Sequence, residues 1–385
     1  MSSVERQFDA IVVGAGPAGA IAALNLARSQ RRVLLIDRST FPRDKICGDG
    51  LPPAVIKMLQ QVGITMDDFG TRDVDYKIIE GLEIGSPARK KLSVNWRPAV
   101  HPTIACPRQH FDQVIFEKAV QQGSIYLQAH VDDLIFDGDK LAGVRTRDQG
   151  EFTANVVIAA DGYGSAVARS VGFQLSKGSA VVSAIRAYAR LRQPVKPYFH
   201  MHFLADLRPG YAWLFPLGNN LANVGLGLSA SPLNSTLLRQ ALIDYLRDWW
   251  GDSVEIQHDT VHQWPIPLWN RDQQARYRNS VFITGDAGAF VDPLTGGGIS
   301  AAVMTGTWAA QSIDQYLSGE VSLEQAGSRY EALWRQSLKP MLDHMHRVKT
   351  YFANYPLAFN ALFNTAHRLP FLKRRILHTL AGEHT

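Results

Sequence analysis

One stretch near the N-terminus, "FDAIVVGAGPAGAIAALNLARSQRRVLLIDR" at residues 8–38, constrains this chain more than any other. "FDAIVVGAG" reads as a buried strand, "PAGAIAALNLARSQ" as a helix with small residues along one side, and "RRVLLIDR" as a second strand. In this βαβ unit Gly14 permits a tight turn, Gly16 lets the backbone approach a pyrophosphate, and Gly19 with Ala23 lets helix and strand pack closely. The helix N-terminus then offers free N–H groups and positive potential to phosphates. Asp37, at the end of the second strand, is placed to bind a ribose hydroxyl. The unit predicts a dinucleotide site.

A chain of 385 residues, 46% of them hydrophobic, exceeds what one core usually serves, so two packed units are expected. No stretch of about 18 apolar residues suggests a membrane span, and no signal peptide is readable at the N-terminus. Two cysteines, Cys47 and Cys106, in no CxxC pattern suit a reducing compartment, so a cytoplasmic protein is expected. The net charge of +5 resides in the segment from Lys339 onward, with seven Lys and Arg against Asp343 and Glu383. "YFANYPLAFNALF" and "LPFLKRRILHTL" mix bulky apolar groups with that charge, and read either as a helix in an anionic membrane interface or as an ordinary helix with a solvated face. "KRR" at 373–375 is too short to imply nucleic acid. "TIACPRQHFDQVIFEKAVQQG" reads as a loop feeding an amphipathic helix. Residues 177–277 read as short strands with one helix near "STLLRQALIDYLRDWW".

Three separated signatures, "VVGAGPAG", "VVIAADGYGSAVAR" and "VFITGDAGAFVDPLTGGGISAAV", together resemble the FAD-dependent oxidoreductases of the aromatic-hydroxylase fold over roughly residues 1 to 320. The resemblance implies an α/β chain, α+β overall, with a Rossmann-like FAD-binding domain (1–72, 97–176 and 278–320), an inserted β-sheet substrate domain (73–96 and 177–277) and a C-terminal helical segment (321–385). It implies an FAD site built from Gly14, Gly16, Ala18, Gly19, Asp37 and Arg38, with Cys47 and Gly48 beside it. Arg108 would reach the phosphate and ribityl region, Asp161 and Gly162 form the loop of the DG motif, and Asp286 would accept from a ribityl hydroxyl. Pro293, Gly296, Gly297, Gly298 and Ile299 would bring backbone and a helix N-terminus to the flavin pyrimidine, favouring a negatively charged reduced flavin.

"FPRDKICGDGLPPAVIKMLQQVGI" with "YAWLFPLGNNLANVGLG" is similar, more narrowly, to the geranylgeranyl reductases, which reduce isolated double bonds of prenyl chains. The alternative is a flavin monooxygenase or halogenase acting on an aromatic substrate. Halogenases show WxWxIP where this chain has Tyr211 and Phe215. An unactivated alkene needs hydride and proton together, through a transition state with tertiary-cation character, so the pocket should be dry and rich in π faces. Tyr211, Trp213 and Phe215 alternate along one strand face and would guide the chain and stabilise positive charge. Cys47, in "CGDG", is expected at the isoalloxazine edge as proton source or as a steric and polarity filter, with a packing role as the plain alternative. The expected partner is an isoprenoid or prenylated lipid. With a single dinucleotide fingerprint taken by FAD, the reductant is a transiently bound NAD(P)H, a ferredoxin or another donor. No metal is expected: His200 and His202 could share a strand face, but no third ligand is suggested nearby, so a solvated or packing role is read for both.

Overall fold

The computed structural model describes residues 6–71, 75–96, 100–174, 177–204, 210–228, 235–271 and 274–354, with scattered positions between 361 and 371. The apolar N-terminal run forms the strand Ala10–Val13, buried throughout, followed by the helix Pro17–Arg28 and the strand Val33–Asp37. The two strands pair parallel, from Ala10↔Val33 to Val13↔Ile36. Strands that are apolar without alternation are what a sheet covered on both faces demands. Ile125–Gln128, Val157–Ala159 and Val281–Ile283 extend the sheet, which ends in the antiparallel edge strand Tyr277–Arg278.

In this sheet the chain leaves Ala10–Val13 on one side toward Val33–Asp37, and returns on the other as Val157–Ala159. A crevice therefore opens at the carboxyl ends of the two central strands, where open α/β sheets bind ligands. Gly14 closes it from behind: at φ 100°, a Cβ there would lie 2.2 Å from the Ala160 carbonyl oxygen. The long helix Ile299–Leu317 packs on Pro17–Arg28 at a similarly close approach, since a Cβ at Gly306 would lie 2.2 Å from the Ala18 carbonyl oxygen.

The second sheet runs in the order 254–256, 181–191, 221–228, 210–216, 198–202, 81–85 and 91–95, with 262–267 also paired to 181–191. Strands from both stretches expected to form the substrate unit thus share one sheet, although they are separated by about a hundred residues of sequence. One face is covered by the helix Ser235–Trp250, which buries Leu238, Leu242, Tyr245 and Leu246 against it. The other face looks toward the crevice. "TIACPRQH" begins as the strand Thr103–Ala105 rather than the expected loop, because its apolar residues pair with Gly50–Leu51 and Lys77–Ile79, partners that local sequence does not reveal.

The helix Leu323–Ser337 starts on a Ser322/Gln325 capping box and buries Tyr330 and Trp334. The helix Lys339–Asn354 continues from it, with Leu342 and Met345 buried. The basic segment therefore begins inside the core of the first unit; "KRR" lies outside the described residues. Among the described residues, no helix is long and apolar enough to cross a membrane.

Candidate active site

A cavity of about 1420 Å³ runs from the carboxyl ends of the parallel strands to the inner face of the second sheet. Every residue expected from the sequence to touch cofactor or substrate lines it, with the exception of Gly19. Gly19 stands behind the turn, where a Cβ would lie 1.8 Å from the Gly14 carbonyl oxygen, so its part is to let the helix approach.

The first half of the cavity fits a dinucleotide. The helices Pro17–Arg28 and Ile299–Leu317 both open onto it, on Gly16 and Gly298, and neither has a side-chain cap on its first N–H groups. Those donors are free for an anion. Gly162 and Gly296 adopt φ of 75° and 70°, with open space where a Cβ would stand, so backbone rather than side chain faces a ligand there. Asp37 lines the cavity while its carboxylate accepts the N–H groups of Ala15 and Ser39, both at 2.8 Å. It thus holds the glycine turn and keeps lone pairs for a hydroxyl. Asp161 accepts from the Ser165 hydroxyl at 2.5 Å and the Ala166 N–H at 2.9 Å, capping the helix Ala166–Ser170 and fixing the DG loop. Asp286 faces Gly298, where a Cβ would meet its Oδ1 at 3.2 Å.

Arg108 lines the cavity, but its guanidinium is held by Asp112 at 2.6 and 2.8 Å, and it backs onto the Cys47 thiol. The group nearest the pyrophosphate turn is a second guanidinium that the sequence reading passed over: Arg43 Nη2 would stand 3.4 Å from a Cβ at Gly16. Lys45 lies nearby, 4.0 Å above the Trp264 ring, with its pKa lowered to about 8 by burial against the opposing pull of Asp286. Both were within "FPRDKICGDG"; nothing in local spacing shows which of its cations turn inward.

The "CGDG" loop lies directly on the aromatic strand. A Cβ at Gly48 would be 2.9 Å from the Phe215 ring, and one at Gly50 2.9 Å from the Phe199 ring, so any larger residue there would push the rings out of place. Between them Asp49 is fully buried at φ 64°. Its carboxylate accepts the Arg108 N–H at 3.1 Å, the Tyr188 hydroxyl at 3.1 Å and Asn223 Nδ2 at 2.7 Å. Asn223 gives its other amide hydrogen to the Cys47 carbonyl at 2.7 Å and accepts Trp213 Nε1–H at 2.8 Å. A donor-only indole and an acceptor-only carbonyl settle which way that amide points. Tyr211 donates to the Thr295 carbonyl, joining the aromatic strand to the glycine-rich loop. Asp49, Tyr188 and Asn223 were not singled out from sequence, since they come from three separate segments.

Tyr211, Trp213 and Phe215 project together, with neighbouring ring centroids 6.0 and 6.4 Å apart. Cys47 faces the same space, and burial, reinforced by Asp49 and opposed by Arg108, raises its thiol pKa, so it keeps its proton at neutral pH. Replacing Trp213 with phenylalanine should leave the buried Asn223 oxygen without its indole donor and lower stability by about 1–3 kcal/mol, measurable by urea unfolding. His200 and His202 are buried on the far face of the sheet, not solvated, and Glu83 stands beside them. That carboxylate is 117 positions from His200 in sequence, which is why no third donor was visible.

A flavin-sized cradle with two uncapped helix N-termini, leading to an aromatic slot, defines a flavoprotein oxidoreductase. The model of the FAD binding domain family matches residues 7–332, and the chain belongs to that family as an FAD-dependent oxidoreductase. It is 34% identical over 328 residues to a menaquinone reductase of Mycobacterium tuberculosis, covering 81% of this chain and 78% of that one. It is 28% identical over 349 residues to digeranylgeranylglycerophospholipid reductase 1 of Methanopyrus kandleri, covering 89% and 90%. Among solved structures, a geranylgeranyl bacteriochlorophyll reductase-like protein of Thermoplasma acidophilum matches with a TM-score of 0.81 at 23% identity, over 90% of this chain and 88% of that one. A flavin-dependent brominase shares the fold with a TM-score of 0.76 at 20% identity, over 98% and 94%.

Proposed function

We propose that this flavoprotein saturates isolated carbon–carbon double bonds of a polyprenyl chain. The observation that carries the reading is the second half of the cavity, where Tyr211, Trp213, Phe215, Phe199 and Met201 wall a slot containing one thiol. The whole cavity exceeds the roughly 300–1,000 Å³ of an ordinary small-molecule site, leaving length for a chain beyond the cofactor. The digeranylgeranylglycerophospholipid reductase among the relatives supports this substrate class, and the menaquinone reductase is the reason a quinone is included in the test.

When bound, reduced FAD supplies the hydride. The residues of the chain do the rest. The ring faces exclude water and lower the energy of positive charge developing on the alkene. Cys47 Sγ–H gives its proton to one alkene carbon while the other takes the hydride, the π bond breaks, and the resulting thiolate lies against Arg108 until solvent reprotonates it. Asp49 and Asn223 hold the loop that presents the thiol. Exposed Tyr351, Leu369 and Phe371 lie in the basic C-terminal segment, which on this reading rests at an anionic bilayer surface where such substrates reside.

The test is anaerobic reduction of the FAD-loaded protein, then addition of geranylgeranyl diphosphate, a geranylgeranylated glycerophospholipid or menaquinone, followed by reoxidation in air and mass analysis. Chain saturation persists as two-hydrogen increments, whereas reduction of a quinone ring is reversed by oxygen. No lasting increment with any of the three would refute the proposal, and oxygen-dependent hydroxylation or halogenation of an aromatic substrate would replace it.

A further inference from the structure

We propose that Glu83, His200 and His202 form a binding site for a divalent metal ion of the zinc class, on the face of the second sheet opposite the flavin cavity. In the strand Tyr198–His202, Phe199 and Met201 face the cavity, so His200 and His202 face away. The strand Gly81–Gly85 pairs in parallel with it and sets Glu83 directly opposite His200. Two histidines at i and i+2 and one cross-strand carboxylate thus meet on a rigid surface.

The donor atoms, one from each residue, all lie within 4.8 Å of one another. Glu83 Oε1 is 3.2 Å from His200 Nδ1 and 3.7 Å from His202 Nε2. Zinc bonds of about 2.0–2.1 Å in tetrahedral geometry place ligand atoms roughly 3.3 Å apart. His200 Nε2 lies 3.3 Å from the Lys196 carbonyl oxygen, which can only accept, so that nitrogen carries a proton. His200 Nδ1 stands 3.2 Å from the Glu83 carboxylate, a separation that a shared proton or a bound cation can both fill. Independently, His202 Nε2 is buried, points into the same space and has no hydrogen-bond partner. The other nitrogen of His202 lies 3.1 Å from the Tyr245 hydroxyl, an outer contact that can orient the ring as metal ligands require.

The surroundings suit a structural ion. Trp249 stacks on His202 with centroids 3.8 Å apart, and Trp250 stands edge-on to His200 at 5.0 Å, so the helix Ser235–Trp250 roofs the site. Lys91 Nζ is 3.0 Å from Glu83 Oε1, with its side chain 46% exposed, so the ammonium can swing into water and yield its place to the metal. Two imidazoles and one carboxylate are a nitrogen-rich, borderline set that favours zinc over calcium or magnesium, with the fourth position left to water. Such an ion would tie the strand Gly81–Gly85 to the strand Tyr198–His202 at the back of the wall that carries the aromatic slot.

The competing arrangement is a proton in place of the metal, with His200 as an imidazolium. Full-length, FAD-loaded protein without a polyhistidine tag, stripped with chelator, is titrated with zinc chloride, desalted and analysed for bound metal; cobalt chloride gives a visible spectrum on the same sample. The expected results are one equivalent of zinc per chain, tetrahedral cobalt absorption, a higher melting temperature with zinc, and at least about tenfold weaker binding in His202→Gln. Lys91→Met, at a half-exposed position, should bind zinc more tightly because the competing ammonium is gone. Substoichiometric zinc in the wild type, binding undiminished in His202→Gln, or no gain of affinity in Lys91→Met would overturn the site.

Discussion

Replacing Cys47 with alanine is expected to lower the turnover of prenyl reduction by roughly 100-fold or more, the scale of a lost general acid, while FAD content and the flavin spectrum stay unchanged. Cys47 lines the slot, and burial raises its thiol pKa, so on the proposed mechanism it would meet the alkene protonated. On the proposed mechanism a weak acid suffices because hydride is delivered in the same step and the ring faces stabilise the positive charge that protonation develops on the alkene. Cys47→Ser separates the two roles that the position could play. A serine keeps size and polarity, so a filter survives the change; its hydroxyl is a far weaker acid, so proton delivery does not. Turnover should therefore remain near the alanine level in the serine variant. The wild-type pH profile should hold through neutrality and fall only above the ordinary thiol value of about 8.5. Unchanged alkene reduction in Cys47→Ala would remove the catalytic role and leave a packing cysteine.

The dinucleotide half of the site was legible because its determinants are local. Gly14, Gly16, Ala18 and Asp37 fall within one βαβ unit, and the helix at Ile299–Leu317 announces itself by "TGGGIS". The aromatic slot was half legible: alternation along Gly210–Pro216 put three rings on one face, and the sheet partners that turn this face inward follow from strand pairing. What escaped was polar and non-local. Asn223, Tyr188 and Asp49 meet across separations of 174 and 139 residues, and Glu83 reaches His200 across 117. Each alone looks like an ordinary strand or turn residue; burial gives it meaning, because a polar group without water must find its partners inside the fold. Arg43 and Arg108 show the complementary failure. Both line the cavity, but Asp112 engages each, so proximity in sequence could not say which cation would turn toward a bound phosphate.

Asp49→Asn is expected to destabilise the protein and to change how its stability responds to pH. The carboxylate accepts three hydrogen bonds, from the Arg108 N–H, the Tyr188 hydroxyl and Asn223 Nδ2. An asparagine supplies a single acceptor oxygen and turns an NH2 toward one of those donors, a mismatch costing about 1–3 kcal/mol in a buried site. In the wild type, burial raises the Asp49 pKa from 3.8 to about 6, against the opposing effect of Asn223, Arg186 and Tyr188. A carboxyl that binds its proton more tightly when folded adds stability below about pH 4, and that contribution is lost as pH rises through about 6. Two units correspond to about 3 kcal/mol. The variant has no titrating group at this position. The stability difference between wild type and variant should therefore shrink by about 2 kcal/mol between pH 4 and pH 7, read from urea unfolding at each pH. A difference that stays constant across that window would show that Asp49 is not the strained group. The strain has a functional counterpart in the same bonds. The carboxylate that is costly to keep ionised at neutral pH also holds Asn223, whose amide fixes both the Cys47 carbonyl and the Trp213 ring, so the loop that presents the thiol is ordered at the expense of global stability.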